Sequence, residues 1–493
     1  MTPHLPPFPD EDETESLDPV DWTGFSGTLR RLLDRAVDRL RTAREGPVWR
    51  PVPHALKAAL SDPVPVEPEG ADQVAAALAG LLPYGVGNTH PRFFGWVHGA
   101  GAPGNLLAEI TSSALNANCG GRDHAAIYVE RQVVAWWRDL FGFPATSSGL
   151  IVSGTSMATL IALKTARDAA VDFASRREGI GQGTLIGYTA QSAHSCVART
   201  FDIIGLGSDA LRRIPTDAAG QMDLIALERQ VRQDRAAGLH PAILVGTAGS
   251  VDIGAFDDLS ALADLADDYG LWLHVDGAFG AAGILSDRVR PKLSGIERAA
   301  SIAFDFHKWL HVNYDAGCVL IRNGDQHQQA FSVSPDYLTR DDRGLAGGAP
   351  WPVDFGPELS RGARAIRVWA HLKEHGTARL GRLISRNCDQ AAYLATRVDA
   401  TPCLERMAPV ALNIVCFRAC PEGVTGDDLD ALNRNIVVAL QEQGIAAPST
   451  TRLDGALAIR VNLTNHRTRQ EDLDLLVEAV CTLAVTCPPS ARG

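Results

Sequence analysis

Only five lysines occur in the 493 residues, at 57, 164, 292, 308 and 373, and arginine carries nearly all the positive charge. Lys308 closes an apolar run, SIAFDFHKWL, with aromatic residues on both sides. A lysine there is either a snorkelling side chain on a partly covered strand or a buried amine. A buried amine with a lowered pKa forms Schiff bases. Asp276 closes another apolar run, LWLHVDGA. A carboxylate at the C-terminal end of a buried strand points into the crevice where open α/β sheets bind ligands. It is costly there without a cationic partner, and its bland use is a turn or helix cap. Thr155 and Ser156 open a helical run after the strand-like GLIVSG. A helix start can cradle a phosphate or simply carry a cap.

Other short patterns carry less. Gly154-Thr-Ser156-Met-Ala158 lacks the final glycine of a nucleophile elbow. Gly99-Ala-Gly101-Ala-Pro-Gly104 matches a dinucleotide fingerprint, but the segment after its helix, NCGGRDHAA, is no strand. His194, His274 and His307 lie near strand ends, where a lone histidine is commonly a core residue. Pyridoxal 5'-phosphate (PLP) would use the remaining groups together. It needs a lysine for its aldehyde, a carboxylate for its ring nitrogen, an anion cradle and a flat group on its ring. Lys308, Asp276, the helix start at Thr155–Ser156 and a histidine answer those four needs.

The elements that must hold these residues alternate. From about residue 105, helical runs (NLLAEITSSALNA, AIYVERQVVAWWRDLFG, SMATLIALKTARDAA, DDLSALADLADDYG) interleave with apolar strands (GLIVSG, TLIGYTA, AILVGTA, LWLHVDGA, SIAFDF, GCVLIRN). That rhythm predicts an α/β fold with a mostly parallel sheet covered on both faces. Before it, residues 22–43, 54–61 and 71–82 read as small helices that cannot bury much alone. Residues 332–360, rich in Gly, Pro and charge, read as a long functional or mobile loop. A helix over about 361–375 follows, then a smaller α+β region with strands at ALNIVCFRA and ALAIRVNLT. The expected domains are 1–104, 105–384 and 385–493.

Composition narrows the class. At 45% hydrophobic and 21% charged the chain has ample material for a large core. The net charge of −12 argues against nucleic acid as a partner. No run reads as a membrane span, and the acidic, Pro-rich start is unlike a signal peptide. An odd count of nine cysteines argues for free thiols, and the expected location is cytoplasmic. Cys416 and Cys420 lack a matching His/Cys pair, and no metal site is expected.

HVDGAFG with SIAFDFHKWLHVNYDAG resembles the group II PLP-dependent amino-acid decarboxylases. HPRFFGW (90–96), SGTSMAT (153–159), SAHSCV (192–197) and GTAGSVDIGAFDD (246–258) follow in that family's order. The resemblance implies the type I aminotransferase-like fold and an obligate homodimer whose N-terminal helices wrap the partner. It implies that Lys308 forms the Schiff base with His307 beside it. Asp276 would pair with the ring nitrogen, Ala278 would lie against the ring, and His194 would stack on the other face. Thr155 and Ser156 would hold the phosphate, and Thr247 would lie near the ring substituents. Tyr337, in Ser334-Pro-Asp-Tyr-Leu338, would protonate the substrate Cα. Trp96, Val97 and His98 would wall the substrate pocket. The implied reaction is decarboxylation of an aromatic or bulky L-amino acid to its amine. The alternative on this scaffold is oxidative deamination to an aldehyde. Two residues depart from the family pattern. His98 adds polarity where aromatic-acting members are apolar. Asp305-Phe306 replaces Asn-Pro, and an ionised acid there would repel a phosphate unless an arginine paired with it.

Overall fold

The structure, a computed structural model, describes residues 16–181, 184–333 and 340–486. The chain divides into two units, one running to Glu45 and over Trp49–Val86, the other taking Gly46–Val48 and everything from Gly87 on. The first unit holds helices Trp22–Arg41, His54–Ala59 and Ala71–Leu81. Asp21 caps the first by accepting from the amides of Thr23 and Gly24, both at 3.0 Å. Arg31 pairs with Asp72 at 2.8 Å and ties the first helix to the third. Within this unit Trp22, Leu29, Val37, Val74 and Leu78 remain exposed.

The second unit carries all the described strands: β1 Phe93–Phe94, β2 Ser148–Val152, β3 Leu185–Ala190, β4 Leu211–Ile214, β5 His240–Thr247, β6 Trp272–Asp276, β7 Ser301–Asp305, β8 Gly317–Ile321, β9 Leu404–Arg406, β10 Ile414–Ala419, β11 Ala447–Leu453 and β12 Ala456–Asn462. The larger sheet has the order β2-β8-β7-β6-β5-β3-β4. β4, β3, β5, β6 and β7 run parallel, and β8 lies antiparallel between β7 and β2. The sheet is thus mostly parallel, as the runs of Ile, Leu and Val predict. The smaller sheet, β1-β11-β12-β10-β9, takes in β1 from near residue 93.

Burial of these apolar runs holds the large sheet together, at about 25 cal/mol per Å² removed from water. An aromatic cluster locks the end of β7. Phe304 and Phe306 pack on Trp137 at 5.0 and 5.3 Å between ring centres. Phe306 is therefore a core anchor beside Asp305.

Three elements differ from the sequence reading. β4 reads Leu-Arg-Arg-Ile, too short and charged to announce itself. FFGWVH yields only the two-residue β1. The helix expected over 361–375 runs from Arg364 to Asp399 and is broken at Gly376, where φ is +68°.

Candidate active site

Three neighbouring parallel strands end side by side. Thr247 closes β5, Asp276 closes β6 and Asp305 closes β7, with Thr247 in register with Asp276. A cavity of about 460 Å³ opens at those ends. Among the residues lining it are Trp96, Val97, His98, Thr155, Ser156, His194, Thr247, Asp276, Ala278, His307 and Lys308, all named from the sequence. Tyr337 lies outside the described residues. His274 belongs elsewhere: it is fully buried within β6, where its Nδ1 meets the Ser301 hydroxyl at 2.9 Å.

Lys308 sits in the turn that leaves β7. The backbone passes close enough to Gly99 that a Cβ there would clash with the carbonyls of His307 and Lys308. The first glycine of the dinucleotide-like pattern is needed for that close approach. Asp305 takes both of its oxygens into the site. Oδ1 accepts the amide of Thr155 at 2.7 Å, and Oδ2 meets Lys308 Nζ at 2.9 Å. The helix Thr155–Ala169 has Gly154 at its cap position and no side-chain cap of its own. Asp305 therefore supplies the cap from across the fold. The cation paired with this acid is Lys308.

The electrostatics correct an expectation. Burial pulls the Lys308 ammonium down, but the charge and hydrogen bond of Asp305, with Asp276 behind them, outweigh it and the net shift is upward. The upward direction is the reverse of the lowered pKa expected of this lysine. Asp276 shifts up because it is buried, although Lys308 and the Ala278 amide, 3.1 Å from Oδ1, pull against that. Burial pushes the Cys196 thiol up, and its Sγ lies 3.9 Å from Asp276 Oδ2. Burial also lowers His307, whose Nδ1 accepts the amide of Ala316 at 3.1 Å. His194 is exposed, and its Nδ1 accepts the amide of Cys196 at 3.2 Å.

The pocket wall is held by the smaller sheet. Trp96 has φ +48°, a strained value for a bulky residue. Its carbonyl accepts from Arg460 at 2.9 Å and Asn462 at 2.7 Å, both on β12. The Thr464 hydroxyl donates to the His98 carbonyl at 2.9 Å. Tyr314 was not singled out from the sequence, yet it lines the cavity with its ring 4.4 Å from His307 and 5.8 Å from His98. Burial raises its phenol to about 12. Its place six residues after Lys308, inside HKWLHVNYDAG, was the available signal. Cys196, two residues after His194 at the start of a helix, was likewise quoted in a motif but given no role.

Two observations test the site for PLP. The Thr155 hydroxyl is buried with no hydrogen-bond partner, which suits an incoming phosphate oxygen. The buried Asp276 carboxylate has one main-chain donor and a thiol beside it, and room on the cavity side for a ring N–H. With Lys308 Nζ in the same cavity, the residues fit the cofactor.

Comparison with known proteins gives the class. The family described as "Pyridoxal-dependent decarboxylase conserved domain" matches residues 53–420. An aromatic-L-amino-acid decarboxylase of Bacillus atrophaeus is 33% identical over 80% of this chain and 81% of that protein. An L-2,4-diaminobutyrate decarboxylase of Rhizobium meliloti (strain 1021) is 30% identical over 92% and 91%. The fold matches the crystal structure of Oryza sativa TDC with PLP and tryptamine, with a TM-score of 0.88 at 24% identity, covering 96% and 99% of the two chains. The chain belongs to the pyridoxal-dependent decarboxylases. It is a carboxy-lyase of the type I PLP fold that uses PLP to decarboxylate an amino acid.

Proposed function

We propose that the substrate is an aromatic or bulky L-amino acid and that the product is its amine. The observation that carries this reading is the convergence of Lys308, Asp276 and the unpartnered Thr155 hydroxyl in one cavity walled by Trp96, His98 and Tyr314. The only carboxylates on that wall, among the described residues, are Asp276 and Asp305, both set at the cofactor end.

The residue roles follow. Lys308 Nζ is the attachment point, through a Schiff base. Asp276 would hold the ring nitrogen's proton, and the chemistry PLP would supply when bound is an electron sink for the decarboxylation. His194 would cover one face of the ring and Ala278 would lie against the other. Thr155 and Ser156 hold the phosphate, Thr247 borders the ring substituents, and His307 braces the lysine turn. Trp96, Val97 and His98 orient the substrate side chain and exclude water from the reacting carbon. Tyr337, from the loop at 332–360, is the proposed proton donor to Cα.

The working unit is a homodimer. Of the N-terminal segment 1–104, the helices between residues 22 and 81 pack on the second copy, while β1 and the wall Trp96–His98 join this chain's own second unit; 105–384 form the cofactor domain and 385–493 the small domain. The exposed Trp22, Leu29 and Val37 support that packing, since a helix face of this kind needs a cover. Eight described cysteines are free thiols, which suits the reducing cytoplasm as its location.

The test is to load the protein with PLP, offer a panel of L-amino acids, and assay amine, aldehyde and peroxide together. Amine without peroxide from aromatic substrates is the expected result. Aldehyde with equal peroxide would make the enzyme an oxidative deaminase, and turnover of diaminobutyrate alone would overturn the substrate class.

A further inference from the structure

We infer that Asp305 is a positioning residue for this reaction: anchored to the start of the helix Thr155–Ala169, its carboxylate holds the Lys308 nitrogen protonated whenever that nitrogen is not bonded to the cofactor. The inference rests on the reading of Lys308 as the attachment lysine.

The geometry assigns the two oxygens separate tasks. Oδ1, 2.7 Å from the Thr155 amide, fixes the side chain to a rigid helix end. Oδ2, 2.9 Å from Nζ, carries the ion pair. The carboxylate is 2% exposed, and the backbone of β7 beside it is held by the Phe304–Phe306–Trp137 cluster. A Cβ on Gly317 would come within 2.7 Å of Oδ1, so the opposite strand closes the remaining space. The charged and titratable groups that face this pair are Asp276 from β6, Cys196 from the start of the helix Cys196–Ile203 after β3 with His194 just before it, His307 and Tyr314 on the lysine loop, and His98 on the pocket wall. Asp305 is the only one with an oxygen at ion-pair distance from Nζ among the described residues.

Before Nζ can attack an aldehyde it must lose one proton, and the ion pair with Oδ2, 2.9 Å away, opposes that loss.

The experiment reads the Lys308 nitrogen directly. Cofactor-free wild type, D305N and D305E are labelled with trace acetic anhydride across a pH series, and acetylation of Lys308 is followed by mass spectrometry, with K308A as the blank. The expected result is a labelling midpoint lower in D305N by about one to three pH units, with D305E returning towards wild type. An unmoved midpoint overturns the inference, and so does a loss of PLP affinity in D305N with the midpoint unchanged. If D305N fails to fold, the wild-type profile decides: a midpoint at or above the free-lysine value of about 10.4 supports the pair, and one well below it overturns the pair. Should K308A keep the visible band on PLP loading, the attachment reading fails while the labelling midpoints still judge Asp305.

Discussion

On one side of the turn 308–311, Lys308 meets Asp305 at 2.9 Å with Asp276 behind it. On the other side His311, whose amide donates to the Lys308 carbonyl at 3.2 Å, meets His466 at 5.0 Å between ring centres. His371 and His375, 4.6 Å apart, complete that second group, with Arg386 and Arg467 near it. Both groups are buried or half-buried, yet they treat charge in opposite ways. The lysine keeps its proton because carboxylates face it. Burial drives His371 down to about 3, His466 to about 4, and His311 well below its ordinary value. The nearest acid there, Glu374, lies 3.8 Å from His375. Burial by itself discharges a base; a carboxylate at hydrogen-bond distance reverses the outcome.

Removing the cation should break the first group most severely. Lys308→Met leaves two buried carboxylates facing apolar surface, and urea unfolding of the cofactor-free variant should show a loss of about 3–5 kcal/mol at neutral pH. The visible PLP band and the activity should vanish with it.

Thr155→Val sharpens the same side. It deletes a buried hydroxyl that has no partner in the cofactor-free pocket, so cofactor-free stability should hold or rise. PLP affinity, by equilibrium dialysis, should fall by about 1.5–3 kcal/mol, the worth of a hydrogen bond to a charged group. Unchanged affinity would remove Thr155 from the phosphate cradle.

Gly99→Ala attacks the turn that both groups share. The new methyl meets the carbonyls of His307 and Lys308, and overpacking of this kind costs about 1–3 kcal/mol. Thermal melts should show the loss, with weaker PLP binding alongside it.

Acid should find the second group. The folded histidines titrate near 3 and 4 while unfolded ones titrate near 6.5, so the unfolded chain binds more protons between those values. Stability is therefore full above about pH 6.5 and falls as the pH drops, by about 1.4 kcal/mol per pH unit for each such histidine. His371→Leu should remove about one histidine's share of that slope in urea melts between pH 6.5 and 5. An identical slope would show that His371 is not held neutral.

Much of the site was legible because strand ends are local features. An apolar run that stops at Asp276 or Lys308 announces both the strand and the charged residue at its mouth, and the motifs around them carry the family. Tyr337 was named from the resemblance alone and lies outside the described residues. Tyr314 escaped because nothing in VNYD says which way its ring turns. β4 escaped because its two arginines hide a short apolar pair.

The amino-acid order alone determined the alternation of strand and helix, the scarcity of lysine, and the placing of Lys308 and Asp276 at the ends of buried runs. Each follows from patterns a few residues long. Only the tertiary structure decided that Asp305 caps a helix 150 residues away and holds the lysine proton. It alone brought His311, His371, His375 and His466 together, and set the Gly99 backbone against the Lys308 turn. The reason is physical. The charge on a buried group depends on what stands within a few ångströms of it, and those neighbours come from chain segments whose meeting no local periodicity records.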